Sequence, residues 1–278
     1  MRKVIFDLNS RDYEHPADKI ALDKLSKLSI LPEITKKLVE IVSEKRILFI
    51  TEGSNIEISE NQYPKLYNIF LECCKILDLK KIPKFYLEAG REINAYTIGV
   101  ENPIVCVNEG AFEALTEDEL RFIIGHELGH IKSEHCLYHT LARIITTGVE
   151  AKVSKLAFPI AETLLAWDRK SEYSADRAGL LCCQNPEASI CALGKLGGCV
   201  RHYKENLNYD AYIKQALEFK EQQGALVNKL KATAFYVMYE MNHPLTMLRA
   251  AEIYEWKDSV QYNQILSKGT ILIGEEIK

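Results

Sequence analysis

The chain has 278 residues, with 35 Lys and Arg against 39 Asp and Glu and a formal net charge of −4. That balance argues against a general nucleic-acid binder, which carries a basic excess. A 47% hydrophobic and 27% charged composition suits a chain that builds a core and argues against global disorder. The longest stretches free of Asp, Glu, Lys and Arg are nine residues each, 178–186 and 259–267, well short of the roughly 20 apolar residues of a spanning helix. The opening Met1-Arg2-Lys3-Val4-Ile5-Phe6-Asp7 lacks the apolar run of a signal peptide.

In chain order, His15-Pro16-Ala17-Asp18 leads into Ile20, Leu22, Leu25 and Leu28, a helical repeat with proline tolerated in its first turn. Pro32-Glu33 opens a second helix to roughly Val42. Residues 46–50 (Arg-Ile-Leu-Phe-Ile) read as a strand, 52–55 as a turn, and Ile56-Glu57-Ile58 as the partner strand. Leu66, Ile69, Phe70, Cys73 and Leu77 repeat at helical spacing across 63–77. Strands are predicted at 84–87, 93–98 and 104–107. From Ala111 onward the chain reads almost entirely as helix. One catalytic domain, residues 61–278, thus follows an N-terminal helical extension of residues 1–60, with a loosely set boundary. None of the eight cysteines forms a Cys-x-x-Cys pair, and most lie in apolar runs, as buried reduced thiols do.

One pentapeptide dominates. His126-Glu127-Leu128-Gly129-His130 has the His-Glu-x-x-His form. On a helix, residues four apart share a face, so both imidazoles can reach one metal ion, and Glu127 can act on a metal-bound water as general base. Thr116-Glu117-Asp118-Glu119 supplies a capping box ten residues upstream, with acidic residues in the first turn. Gly125 and Gly129 each cost about 1 kcal/mol inside a helix, which implies close approach by another backbone.

A catalytic zinc takes three protein ligands and keeps a position open. A third histidine six residues on, with a glycine midway, would mark a metzincin, but Cys136 and Ser133 hold those positions. On an unbroken helix His135 and His139 lie about 180° and 220° around from His126, so both are expected to face elsewhere. Arg169, Glu172 and Asp176 share the face of a later helix. Glu172 is the candidate third ligand, beside the small residues Ala175 and Gly179, and Asp176 could fix the tautomer of a ligand histidine. Glu150 and Glu162 are alternatives without an acidic partner one turn downstream.

His126-Glu127-Leu128-Gly129-His130 followed by Glu172-Tyr173-Ser174-Ala175-Asp176 resembles the HtpX-like and CAAX-prenyl-protease-type zinc metallopeptidases, which are gluzincins. The resemblance spans roughly residues 62–255. It includes Asn94-Ala95-Tyr96-Thr97-Ile98-Gly99 and the late Asn242-His243-Pro244 with Arg249 downstream. It implies an α+β zincin domain, a small sheet packed on the metal helix with a mostly helical second half. It also implies zinc on His126, His130 and Glu172, catalysis by Glu127, and supporting roles for Asp176, His243 and Arg249, with His243 a candidate donor to the oxyanion.

The expected activity is zinc-dependent hydrolysis of polypeptides lying extended along Asn94, Ala95, Tyr96 and Thr97. A zinc-binding interaction or chaperone-like module is the alternative. Membrane members of the family carry spanning helices between the two ligand helices. Here residues 131–170 hold ten charged side chains, and at about 2.5–3.5 kcal/mol per charge near the bilayer centre they predict a helical hairpin outside the membrane. The expected compartment is the cytoplasm, with peripheral membrane attachment as the alternative.

Overall fold

The computed structural model describes residues 2–29, 31, 33, 44–147, 160–198, 207–229 and 245–271. The first of these hold strand β1 (Lys3–Val4) and helix α1 (Pro16–Ser26), then α2 (Glu44–Ser54), β2 (Ile56–Glu57) and α3 (Pro64–Ile76). Strands β3 (Lys84–Glu88), β4 (Ala95–Ile98) and β5 (Ile104–Asn108) precede the short α4 (Glu109–Ala114) and the long α5 (Glu117–Lys132). After them come α6 (Cys136–Thr147), α7 (Ala161–Cys183), α8 (Pro186–Gly197), α9 (Tyr209–Lys229), α10 (Thr246–Trp256), α11 (Val260–Lys268) and β6 (Thr270–Ile271). The class is α+β, as expected from the sequence.

The principal sheet has the order β2-β3-β5-β4. Strands β3 and β5 are parallel at its centre, and β4 is an antiparallel edge strand. Strands β1 and β6 form a separate antiparallel pair that joins the two ends of the described chain. The main core unites Phe70, Phe85, Val105 and Val107 with Phe122, Leu128, Leu180 and Leu181, so the sheet and α3, α5 and α7 share one interior. Val4, Ile5, Leu8 and Tyr13 belong to the same core. A second cluster joins Leu25 and Leu31 to Leu141, Ala142, Leu164, Leu165 and Trp167. The seven cysteines among the described residues are free, and six of them are buried.

Two local expectations are corrected. Residues 46–50 lie within α2, which continues through 52–54 where a turn was expected, and β2 pairs with β3 (Ile56 opposite Leu87) rather than with that segment. A four-residue apolar run lacks the length to separate a strand from a helix by periodicity. Strand β4 begins at Ala95 rather than at residue 93. The expected helix through Val42 lies outside the described residues apart from helical Leu31 and Glu33.

Helix α5 starts where the sequence directs it. The Thr116 hydroxyl accepts from the Glu119 N–H at 3.3 Å, and the Glu119 carboxylate accepts from the Thr116 N–H at 2.7 Å. Its far half presses against α7 almost without side chains between the backbones. A Cβ added at Gly129 would lie 2.6 Å from Ala178 Cβ and 3.2 Å from Ala175 Cα. At Gly179 it would lie 2.6 Å from the Phe122 carbonyl oxygen. Helix propensity alone would make Gly129→Ala stabilising by about 1 kcal/mol. We expect the reverse, a loss of about 1–3 kcal/mol from overpacking, read as a lower Tm. Adding Ala178→Gly should restore part of it, and a Gly129→Ala protein melting above wild type would refute the close approach.

Candidate metal centre

The α5–α7 crossing sets the geometry of the buried polar site. His126 and His130 lie one turn apart on α5, and Glu172 faces them from α7. His126 Nε2 and His130 Nε2 are 3.1 Å apart. Glu172 Oε2 lies 3.4 Å from the first and Oε1 3.3 Å from the second. All three side chains are buried. Zinc bonds of 2.0–2.1 Å in a tetrahedron put ligand atoms about 3.3 Å apart, so the three edges fit a common zinc ion, and two imidazoles with a carboxylate are a donor set that zinc accepts.

The surrounding groups orient His126 as a residue that could hold a metal. Its Nδ1 lies 2.9 Å from Asp176 Oδ1, one turn beyond Glu172 on α7. Donation of the Nδ1 proton to Asp176 leaves Nε2 facing the site. Arg249, from α10, grips both oxygens of Asp176, donating from Nη2 to Oδ1 at 2.6 Å and from Nε to Oδ2 at 2.8 Å. Its Nη1 lies 3.4 Å from Glu172 Oε2. Burial works against charge on both partners, but the pairing holds Asp176 below and Arg249 above their ordinary values. Burial likewise opposes charge on His126, yet Glu172 and Asp176 override it and raise that imidazole to about 9, so the ring also carries a proton on Nε2 that a bound metal would displace to reach the lone pair. Burial, the neighbouring His139 and His126 push His130 well below its ordinary value.

Glu127 is buried on α5. The Thr97 hydroxyl, on β4, donates to its Oε2 at 2.9 Å and lies 3.1 Å from its main-chain carbonyl oxygen. This links the edge strand to the acidic residue of the pentapeptide, a contact the sequence does not announce. Asn94 lies just before β4, with Ala95 and Tyr96 on it. Asn94 accepts the Asn108 N–H at 3.1 Å, and in this register Ala95 stands opposite Val107 and Thr97 opposite Val105. Antiparallel alternation therefore turns the main-chain N–H and C=O of Ala95 and Thr97 outward from the sheet.

The structure brings together His126, Glu127, His130, Glu172, Asp176, Arg249 and Thr97. His243 lies outside the described residues, as does Glu150. His135 and His139 correct the expectation that they face elsewhere. Helix α5 ends at Lys132, Glu134 adopts a left-handed conformation with φ 58°, and α6 starts at Cys136. The reversal brings His135 Nδ1 to 3.2 Å from His130 Nδ1 and the His139 ring to 4.2 Å from that of His130. His130, His135 and His139 thus form a second group whose ligand atoms lie within 4.8 Å of one another, beside His126, His130 and Glu172.

Residues 60–257 match the model of peptidase family M48. The chain belongs to that family. It is 33% identical over 267 residues to the plastoglobule-localized metallopeptidase 48 of Arabidopsis thaliana chloroplasts, covering 94% of this chain and 77% of the relative. Over 173 residues it is 30% identical to a protease HtpX homolog of Syntrophobacter fumaroxidans, 50% of this chain and 61% of the relative. An HtpX homolog of Thermodesulfovibrio yellowstonii is 35% identical over 95 residues, 34% of this chain and 33% of the relative. No solved structure matches the chain. This M48 member is a metalloprotease, a hydrolase acting on polypeptides. No helix among its described residues is long and apolar enough to cross a membrane.

Arg249 offers a test of how tightly the centre is wired. Removing one member of a buried ion pair costs more than removing both, because the survivor keeps its desolvation penalty. Arg249→Met should lower stability in urea unfolding by about 3–5 kcal/mol, and the double variant with Asp176→Asn should recover part of that loss. Equal losses in the two proteins would mean that Asp176 does not depend on Arg249.

Proposed function

We propose that this M48 chain is a zinc-dependent endopeptidase in which His126, His130 and Glu172 hold one catalytic zinc and Glu127 is the general base. The observation that carries the reading is the buried triangle of two imidazole nitrogens and one carboxylate, with edges of 3.1, 3.3 and 3.4 Å, with Glu127 between its two histidines. Bound zinc would supply Lewis-acid polarisation of the scissile carbonyl and lower the pKa of a water toward ~7. The chain's own residues would do the rest. Glu127 takes a proton from the attacking water and passes it to the leaving amine. Thr97 holds the Glu127 carboxylate by its hydroxyl. Asp176 keeps the His126 proton on Nδ1, and Arg249 balances the buried negative charge of Asp176 and Glu172. By the resemblance of Asn242-His243-Pro244 alone, we assign His243 the role of donor to the developing oxyanion.

Purified protein should contain about one zinc per chain, and His130→Ala or Glu172→Ala should remove most of it. Glu127→Gln should keep the zinc and the fold but lower turnover of unfolded casein by at least about 10²–10⁴, the usual worth of general-base catalysis. Near-native turnover by this variant would sink the mechanism, and full zinc occupancy in Glu172→Ala would sink the third ligand.

An extended polypeptide would add to the outer edge of β4, pairing with the outward main-chain groups of Ala95 and Thr97 while its side chains face the cleft. Main-chain pairing gives affinity with limited sequence preference. A proline at Thr97 would remove one outward N–H and the hydroxyl together, whereas Thr97→Val removes only the hydroxyl. We therefore expect Thr97→Pro to raise KM well beyond Thr97→Val, with the fold checked by circular dichroism. Equal KM values would move substrate away from this edge.

Of the hairpin expected over residues 131–170, residues 148–159 lie outside the described residues; we propose that its described parts, α6 (Cys136–Thr147) and the start of α7 at Ala161, flank that edge of the sheet. In support, α6 and the start of α7 share the apolar cluster of Leu141, Ala142, Leu164 and Trp167. We place this protein's work on unfolded chains in the cytoplasm, and the name of the Arabidopsis thaliana relative, plastoglobule-localized, keeps a peripheral membrane site as the second reading.

A further inference from the structure

Each ligand histidine of a metal site has a second ring nitrogen that needs an acceptor to hold its tautomer and its orientation. For His126 that acceptor is Asp176. For His130 the atom facing its Nδ1 is not a carboxylate but His135 Nδ1, at 3.2 Å. Two imidazole nitrogens hydrogen-bond only when one carries the proton and the other a lone pair. The far side of His135 decides which. Its Nε2 lies 3.3 Å from Asp18 Oδ2, so the His135 proton sits on Nε2, leaving the Nδ1 lone pair to accept from His130. His130 Nε2 then keeps its lone pair toward His126 and Glu172. The chain of bonds runs from the metal triangle through His130 and His135 to Asp18.

Asp18 is built into this position. It is fully buried on α1, and the Ser174 hydroxyl, from the same helix as Glu172, donates to its Oδ2 at 2.6 Å. Ser174 Oγ in turn accepts the His15 N–H at 2.9 Å. The Trp167 ring packs edge-on against His135, with centroids 5.4 Å apart and planes at 88°. His139 does not share the arrangement. Although its ring lies against His130, its nitrogens are engaged by Asp168 at 2.9 Å and Ser171 at 3.0 Å. Asp18 also lies outside residues 60–257 that match the M48 model.

We propose that His135 and Asp18 are positioning residues of the metal centre: His135 accepts the Nδ1 proton of His130, and Asp18 fixes the His135 tautomer. This rests on the reading of His126, His130 and Glu172 as the zinc site. It makes the first helix part of that site, although about a hundred residues of chain separate Asp18 from His126.

The test uses the full chain and zinc alone, with affinity measured by competition against a chromogenic chelator and the cobalt-substituted spectrum recorded in parallel. His135→Phe keeps a ring but no acceptor, and should weaken zinc binding by about 10–100-fold and alter the cobalt spectrum. His135→Gln keeps an acceptor, its amide oxygen, and should recover most of the affinity. Asp18→Asn should fall between them. Equal weakening in the Phe and Gln variants would mean a packing role and overturn the proposal, as would wild-type affinity in His135→Phe. A second zinc bound by wild type and lost in His135→Phe would make His135 a ligand and overturn it too. Zinc-free wild type would overturn the metal-site reading itself, which separates the two failures. Should His135→Phe not fold, long-range 1H–15N spectra of histidine-labelled, zinc-loaded wild type decide the matter. An Nε2–H tautomer at His135 supports the proposal and an Nδ1–H tautomer refutes it.

Discussion

The close approach of α5 and α7 is the constraint on which the rest of the molecule depends. Two imidazoles on one helix and a carboxylate on another can meet at 3.1–3.4 Å only if the helix axes come unusually near. Gly125, Gly129 and Gly179 make that possible, because any side chain there would strike the opposing helix. Three interior glycines cost about 3 kcal/mol in helix propensity. Full burial of Phe122, Leu128, Leu180 and Leu181 along the same pair of helices contributes roughly 1.5–3 kcal/mol each, so the packing outweighs the propensity loss and the site is held by the core beneath it.

That approach also buries charge. Glu172, Asp176 and Arg249 are each almost fully shielded from water, where an isolated charge is costly. The arrangement answers this by satisfying Asp176 three times over, from both forks of Arg249 and from His126. Arg249 Nη2 and His126 Nδ1 lie 3.2 Å apart, an awkward pair of donors that is tolerable because both point to the same Asp176 oxygen. Such a network adds little to stability compared with an apolar core. What it adds is direction, since the proton on His126 Nδ1 has one destination.

How much of this was legible in the sequence depends on how local each signal is. The capping box, the pentapeptide and Glu172 with Asp176 are all written within single helices, where residues three and four apart share a face, and the fold places them together. Residues 46–50 misled because a short apolar run carries no period of its own. His135 and His139 misled for a different reason. Their positions follow from the end of α5, and that end is made by Glu134 at φ 58°. Only glycine, or less often asparagine, advertises a left-handed residue in a sequence, and here there is neither. Asp18 carried no signal at all, since its partners His135 and Ser174 lie more than a hundred residues away.

The same locality argument explains why Thr97 matters more than its place on an edge strand suggested. A β-strand sends its side chains above and below the sheet while its main-chain groups lie in the plane. One residue can therefore present its peptide group to the open edge and its hydroxyl to a helix underneath. At Thr97 the peptide faces outward from β5 and the hydroxyl reaches Glu127. Strand position and carboxylate orientation are thus set by one side chain. A polypeptide that pairs with this edge would press on the strand that holds Glu127, so docking and orientation of the Glu127 carboxylate would be coupled through a single hydrogen bond of 2.9 Å. The coupling requires no moving lid, only a strand edge left open beside a helix whose glycines have already drawn it into the core.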